Sequence, residues 1–194
     1  MADAGELHRR AGEAFKDVLR AARDDQWHHP TPCTEWDVRA LAHHVAWSNL
    51  WVAPLVEGRS LAEVAPTVEG DVLGADPVGV ALRSVDEASD AFGAPGALQR
   101  PVQLSRGESP ALVYCTERLN DLLLHAWDLA RALGREVALD EEGMEVALAY
   151  YRPLEPLLRP IGELGPDVEV EGGADLQTRF LAFFGRRPGW TPPD

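Results

Sequence analysis

Apolar positions recur at helical spacing along most of the chain. Leu7, Ala11, Ala14, Val18 and Ala22 step down one face of a segment that predicts a first helix over about Ala4–Asp25. After the polar loop QWHHPTPC, the stretch TEWDVRALAHHVAWSNLWVAPLVEG predicts a second helix. Thr34 stands where an N-cap belongs, with Asp37 three residues on as an Asp version of the capping box. Pro54 kinks or ends this helix and Gly58 stops it. Residues 58–76 read as loop with one turn at SLAEVA. DPVGVALRSVDEASDAFG predicts a third helix, capped by Asp76, opened by Pro77 and closed by Gly93.

A short extended piece is expected at Val102–Leu104, where Pro and Gly punctuate the chain. The fourth helix is expected over about Ser109–Leu133, with Gly134 as its stop. DEEGMEVALAYYRPLEPLL predicts a fifth, capped by Asp140 and kinked or cut at Pro153. DVEVEG alternates and predicts a short strand over 167–171, and ADLQTRFLAFFG a last short helix. Long helices with connections of very unequal length, and no strand–helix alternation, predict an all-α helical bundle rather than an α/β fold. Small β elements are expected only near 100–105 and 167–171.

Composition narrows the class. The 194 residues fit a single domain, 1–194, with enough chain to bury a core. Apolar residues make up 45% and charged residues 26%, an ordinary globular balance. The net charge of −14 opposes binding to nucleic acid and to anionic membranes, so neither is an expected partner. The charged start MADAGELHRRAGEAF lacks the apolar core of a secretory signal, and no run reaches the roughly 18 apolar residues of a membrane span. A cytoplasmic location is expected. Cys33 and Cys115 are expected to stay reduced, and without a CxxC there is no zinc ribbon. GxGxxG and GxxxxGK[ST] are also missing, so nucleotide binding has no motif behind it.

The chemistry concentrates in ERLNDLLLHAWDLARALG. Asp121 and His125 are four residues apart, about 40° around a helix, and therefore neighbours on one face. Glu117 and Asp128 extend that stripe. Leu119, Leu122, Leu123, Ala126, Leu129, Ala130 and Leu133 fill the opposite side, so the pattern fits a solvated stripe as well as a functional pair. A carboxylate and a histidine at this spacing can reach one metal ion, but a third ligand must come from another element. Periodicity favours His44 over His43 as the inward histidine of the second helix, because His44 flanks Leu41 and Val45. A core histidine bonded to a backbone or side-chain acceptor is the plainer alternative. His8, His28 and His29 are expected at the surface. Asp128 is expected to pair with Arg131 on its own helix rather than to support a metal ligand. Buried cysteines are usually packing residues, and no local signature makes Cys33 or Cys115 a nucleophile.

Three segments, TPCTEWDVRALAHHV, LLLHAWDLARALG and GPDVEVEGGADLQTRFLAFFGRRP, resemble an actinobacterial family related to the N-terminal domain of mycothiol-dependent maleylpyruvate isomerase. That family belongs to the DinB-like group of metal-binding four-helix bundles. The resemblance implies three metal ligands, which fall on His44, Asp121 and His125; Glu occupies the acid position in the isomerase pattern, and Glu117 is one turn away as a substitute. Two histidines and one carboxylate leave a coordination position open, as in catalytic sites. Zinc suits the set, and nickel, iron and manganese are compatible. The implied activity is thiol S-transfer or thiol-assisted isomerisation with mycothiol or a related low-molecular-weight thiol and an electrophilic substrate. The alternatives are a non-catalytic metal-binding or detoxification protein, or a bundle with a degenerate site. The isomerase carries a further C-terminal domain for which this chain leaves no room, so maleylpyruvate itself is not the expected substrate. A monomer or a homodimer is expected.

Overall fold

The computed structural model describes residues 2–193. Four helices form the bundle: α1 (Ala4–Leu19), α2 (Val38–Leu50), α5 (Pro77–Gly93) and α6 (Ala111–Ala132). Between α2 and α5 lie the short helices α3 (Val52–Val56) and α4 (Leu61–Val64). After α6 come α7 (Glu141–Tyr151), α8 (Glu155–Leu158) and α9 (Leu176–Phe183). The strands β1 (Pro101–Leu104) and β2 (Gly107–Pro110) form one antiparallel hairpin around Ser105 and Arg106. Among the described residues no helix is long and apolar enough to cross a membrane. This is the all-α helical bundle with a small β element that the sequence predicts.

Acidic residues start five of the helices, α1, α2, α5, α7 and α9. Asp3, Asp37, Asp76, Asp140 and Asp175 each accept a hydrogen bond from a backbone N–H three residues on, at 2.7–3.0 Å. Each satisfies an orphan donor and sets a negative charge against the positive end of the helix dipole. Part of the chain's large negative charge is thus structural.

Several boundaries differ from the sequence reading. α2 is capped by Asp37, not Thr34. The loop before it is tied down by Val38 N–H to His29 O and Arg39 N–H to Trp27 O, both 3.0 Å, which moves the helix start past Trp36. The second helix breaks at Trp51, three residues before Pro54, whose missing N–H leaves the Leu50 carbonyl without its helical partner. The first helix ends at Leu19 rather than Asp25, and Asp24–Gln26 forms a separate tight turn in which the Gln26 side chain holds the Arg23 N–H at 3.1 Å. α6 starts at Ala111 because residues 107–110 are taken by β2. The strand expected over 167–171 does not form. Among the described residues that segment has no neighbouring strand to pair with, and Val168 N–H instead reaches the Ala182 carbonyl of α9 at 3.2 Å.

α6 is the central element. It is buried nearly all round, so its leucines pack on one side and its polar residues Asn120, His125 and Asp128 are buried on the other. The stripe of acids and histidine therefore faces the interior of the bundle, not solvent. α6 ends where Gly134 takes a positive φ of 68°, which lets Arg135 N–H return to the Ala130 carbonyl at 2.8 Å.

Candidate metal centre

α2 and α6 bring His44, Asp121 and His125 together. His44 Nε2 lies 3.3 Å from Asp121 Oδ1, and His125 Nε2 lies 3.4 Å from the same oxygen. One nitrogen or oxygen from each residue fits within a sphere where all three are no more than 4.8 Å apart. The two imidazoles meet edge to face with centroids 5.0 Å apart. Trp36, in the loop before α2, covers both rings, at 4.5 Å from His44 and 5.7 Å from His125. His43, one residue from His44, points about 100° away. It engages the loop at Gly70 and Val72 instead.

The other face of His125 is equally determined. Its Nδ1 lies 3.0 Å from Asp128 Oδ2, in a fully buried position. Arg186, in the segment after α9, grips both Asp128 oxygens, Nη2 at 2.8 Å and Nε at 3.2 Å. The expected Asp128–Arg131 pair does not exist. Three residues along α6, Arg131 turns outward to Glu136 and to the Trp190 carbonyl, while Asp128 turns inward. With Nδ1–H directed at Asp128, loss of the second ring proton frees the Nε2 lone pair toward Asp121 and His44, the arrangement a metal ligand needs.

Electrostatics keep these groups charged. Burial alone would raise the Asp121 carboxyl, but the Arg118 and His125 charges and hydrogen bonds from both histidines hold it well below the usual carboxylate range. Burial would lower His125, but Asp121, assisted by Asp128 and Cys33, raises it well above its ordinary value. Burial also disfavours the Asp128 carboxylate, yet Arg186 and His125 hold it at about 2.

Glu117 does not join the histidines. Its carboxylate accepts from Arg106 at 2.7 Å and from the Tyr150 hydroxyl at 2.9 Å. His28 is exposed, as expected, and His29 is half-buried with its Nδ1 near the Ala132 carbonyl. His8 is not at the surface. It is fully buried against Phe92, with Nδ1 3.1 Å from Ser89 Oγ. Its place on the inward stripe of α1, one residue from Leu7 and three from Ala11, is the signal that its flanking arginines hide.

Sequence reasoning gave no role to Cys33, Arg118 or Arg186. Cys33 Sγ lies 3.1 Å from Asp128 Oδ2 and 3.2 Å from Arg186 Nη2, so Cys33, His125 and Asp128 form a second close group that shares His125. Arg118, one turn before Asp121, binds its Oδ2. An open cavity of about 1010 Å³ reaches His44 and is walled by Trp36, Trp47 and Trp51.

A helical bundle with two histidines and one carboxylate converging beside an open cavity defines a class of potential metal-binding bundle proteins. The chain belongs to the mycothiol maleylpyruvate isomerase N-terminal domain family, whose model matches residues 8–130. It is 37% identical over 148 residues to two uncharacterized proteins of Mycobacterium tuberculosis, from strains CDC 1551 / Oshkosh and H37Rv, covering 76% of this chain and of each relative. Its fold is similar to the crystal structure of a histidine-to-alanine mutant of the mycothiol-dependent maleylpyruvate isomerase. That match has a TM-score of 0.56 at 15% identity and covers 77% of this chain and 70% of the other.

Proposed function

We propose that the chain is a divalent-metal-dependent, thiol S-transferase-like enzyme, with zinc as the ion and mycothiol or a related low-molecular-weight thiol as cosubstrate. The observation that carries this reading is the convergence of His44 Nε2, Asp121 Oδ1 and His125 Nε2 at the edge of the cavity. The donor set fits the ion. Two neutral imidazoles and one carboxylate match zinc's preference for nitrogen and oxygen, and three protein ligands leave one position for a small molecule. A divalent cation there promotes ionisation of a thiol, and the thiolate is the nucleophile.

The chain's own residues supply the rest. Asp121 contributes the single negative charge among the three ligands. Asp128 and Arg186 hold the His125 ring in one orientation and one tautomer. Trp36 shields one side of the two imidazoles from water. The large cavity beside His44, with its tryptophan walls, has room for a thiol with a bulky polar body. In S-transfer the thiol sulfur forms a bond to an electrophilic carbon. The group leaving that carbon takes the bonding pair, and the thiol proton passes to water. The family's link to a mycothiol-dependent isomerase supports the thiol part of the reading.

The test is elemental analysis of untagged protein, wild type beside His44→Ala and His125→Ala, followed by thiol-conjugation assays. One equivalent of zinc in the wild type, lost in both variants while helicity is kept, together with thiol-dependent turnover, is expected. Metal retained by His125→Ala would show that the ion is held elsewhere.

A further inference from the structure

The two oxygens of Asp121 go to different partners. Oδ1 lies 3.3 Å from His44 Nε2 and 3.4 Å from His125 Nε2, whereas Oδ2 accepts from Arg118 Nη2. Sequence spacing sets this division. Arg118 precedes Asp121 by three residues on α6 and His125 follows it by four. The guanidinium and the imidazole therefore share one stripe, a turn to either side of the carboxylate. Each takes its own oxygen.

Arg118 is tied to this carboxylate. Its side chain is only 13% exposed, and its Nε is buried without an acceptor. The neighbouring acid, Glu117, is already held by Arg106 and Tyr150. A guanidinium at that depth is costly to leave unpaired, so it stays on Asp121. Its hydrogen bond is charge-assisted, which makes it strong and fixes the orientation of the carboxylate. Beside a divalent ion, however, Arg118 is a like charge and weakens metal binding. What it contributes there lies in how the carboxylate binds.

We propose that Arg118 is a positioning residue that limits Asp121 to ligation through Oδ1 alone, and so keeps a coordination position free for the thiol. The inference rests on the triad holding a metal ion. A carboxylate can ligate through one oxygen or through both. Through both, together with His44 and His125, it would fill the four positions that zinc usually takes. Through Oδ1 alone it leaves the fourth open. The guanidinium also sets a second positive charge near that position, which favours a thiolate over a thiol.

The test is cobalt(II) loading of metal-stripped wild type, Arg118→Met and Arg118→Lys, read by visible absorption, with 2-mercaptoethanol then titrated in as the thiol. Wild type should show the intense visible bands of four-coordinate cobalt. Arg118→Met should show the weaker bands of five-coordinate cobalt and need about tenfold more thiol to half-form the thiolate charge-transfer band. Arg118→Lys, which keeps a cation beside Oδ2, should lie closer to wild type than Arg118→Met does. Weak five- or six-coordinate bands in wild type, a reading that needs no variant to fold, would overturn the inference. So would identical spectra and thiol response in wild type and Arg118→Met. Wild type that takes up no cobalt sinks the metal reading and this inference with it. Cobalt that is lost in His44→Ala but indifferent to Arg118 sinks this inference alone.

Discussion

His125 Nδ1 and Asp128 Oδ2 are 3.0 Å apart inside the bundle, and Arg186 closes on both oxygens of Asp128 from the far end of the chain. The C-terminal segment thus reaches the triad through one carboxylate. Asp128 fixes the tautomer of His125, and Arg186 fixes Asp128.

Asp128→Asn should therefore act on stability and on metal binding together. The variant leaves Arg186, whose side chain is only 19% exposed, without its charge partner. A loss on the order of 3–5 kcal/mol is expected, as for other broken buried pairs. Zinc affinity should fall about 10- to 100-fold because His125 loses its orienting anion. Urea denaturation and competition with a chromophoric chelator measure the two effects. Destabilisation with unchanged zinc affinity would leave Asp128 a purely structural residue.

Metal binding should be coupled to protons. In the metal-free protein Asp121 and Asp128 raise His125 well above its ordinary value of 6.5, so the ring carries a proton at neutral pH. That stabilising charge is fully present below 6.5 and is lost as pH rises through the raised value. Binding zinc through Nε2 requires the proton to leave. Zinc affinity should accordingly rise with pH, by about tenfold per unit where one proton is released. Calorimetry in two buffers of different ionisation enthalpy should report about one proton released per zinc. No release would mean that His125 is not a ligand.

The bundle was legible because its helices carry local signals. Acid caps, apolar periodicity and the Gly134 stop each act within a few residues, so α5, α6 and α7 could be placed from their own sequence. The α2 start was misplaced because Thr34 and Asp37 are both good caps, and the choice is made by backbone bonds from Val38 and Arg39 to the preceding loop. The same limit governed the site. His44, Asp121 and His125 could be nominated because helical spacing and a family resemblance point to them. Cys33, Arg118 and Arg186 could not be given roles, since their contacts depend on how separate elements pack. Asp128 was assigned to Arg131 because a local i, i+3 partner is visible in sequence and a partner 58 residues away is not.

The two cysteines should differ sharply in reactivity. Cys115 is completely buried on α6, and burial pushes its thiol above the ordinary range. Cys33 is half-buried in the loop before α2, beside Arg186. Alkylation of the native protein with iodoacetamide should therefore modify Cys33 alone, and denaturation should expose both. Mass spectrometry of tryptic peptides reads the outcome. Native labelling of Cys115 at a comparable rate would show that α6 opens far more easily than its packing implies.

His8 should make the metal-free protein sensitive to mild acid. Burial, assisted by the Arg118 charge and opposed by Asp121, lowers its imidazole from 6.5 to about 3. Between those values the unfolded chain binds a proton that the folded chain refuses. Stability must then fall as pH falls, by about 1.4 kcal/mol per unit for this one group. His125 has the opposite shift and adds nothing below 6.5, where it is protonated in both states. Asp128, held at about 2, and Asp121 add their own losses only below about pH 4. Between pH 6.5 and 4.5 His8 dominates the loss, and a variant without the imidazole isolates it. Urea unfolding at the two ends should show wild type losing roughly 2–3 kcal/mol more than His8→Gln, which keeps a polar partner for Ser89 but cannot titrate. Equal losses in the two proteins would mean that His8 opens to water before the fold gives way.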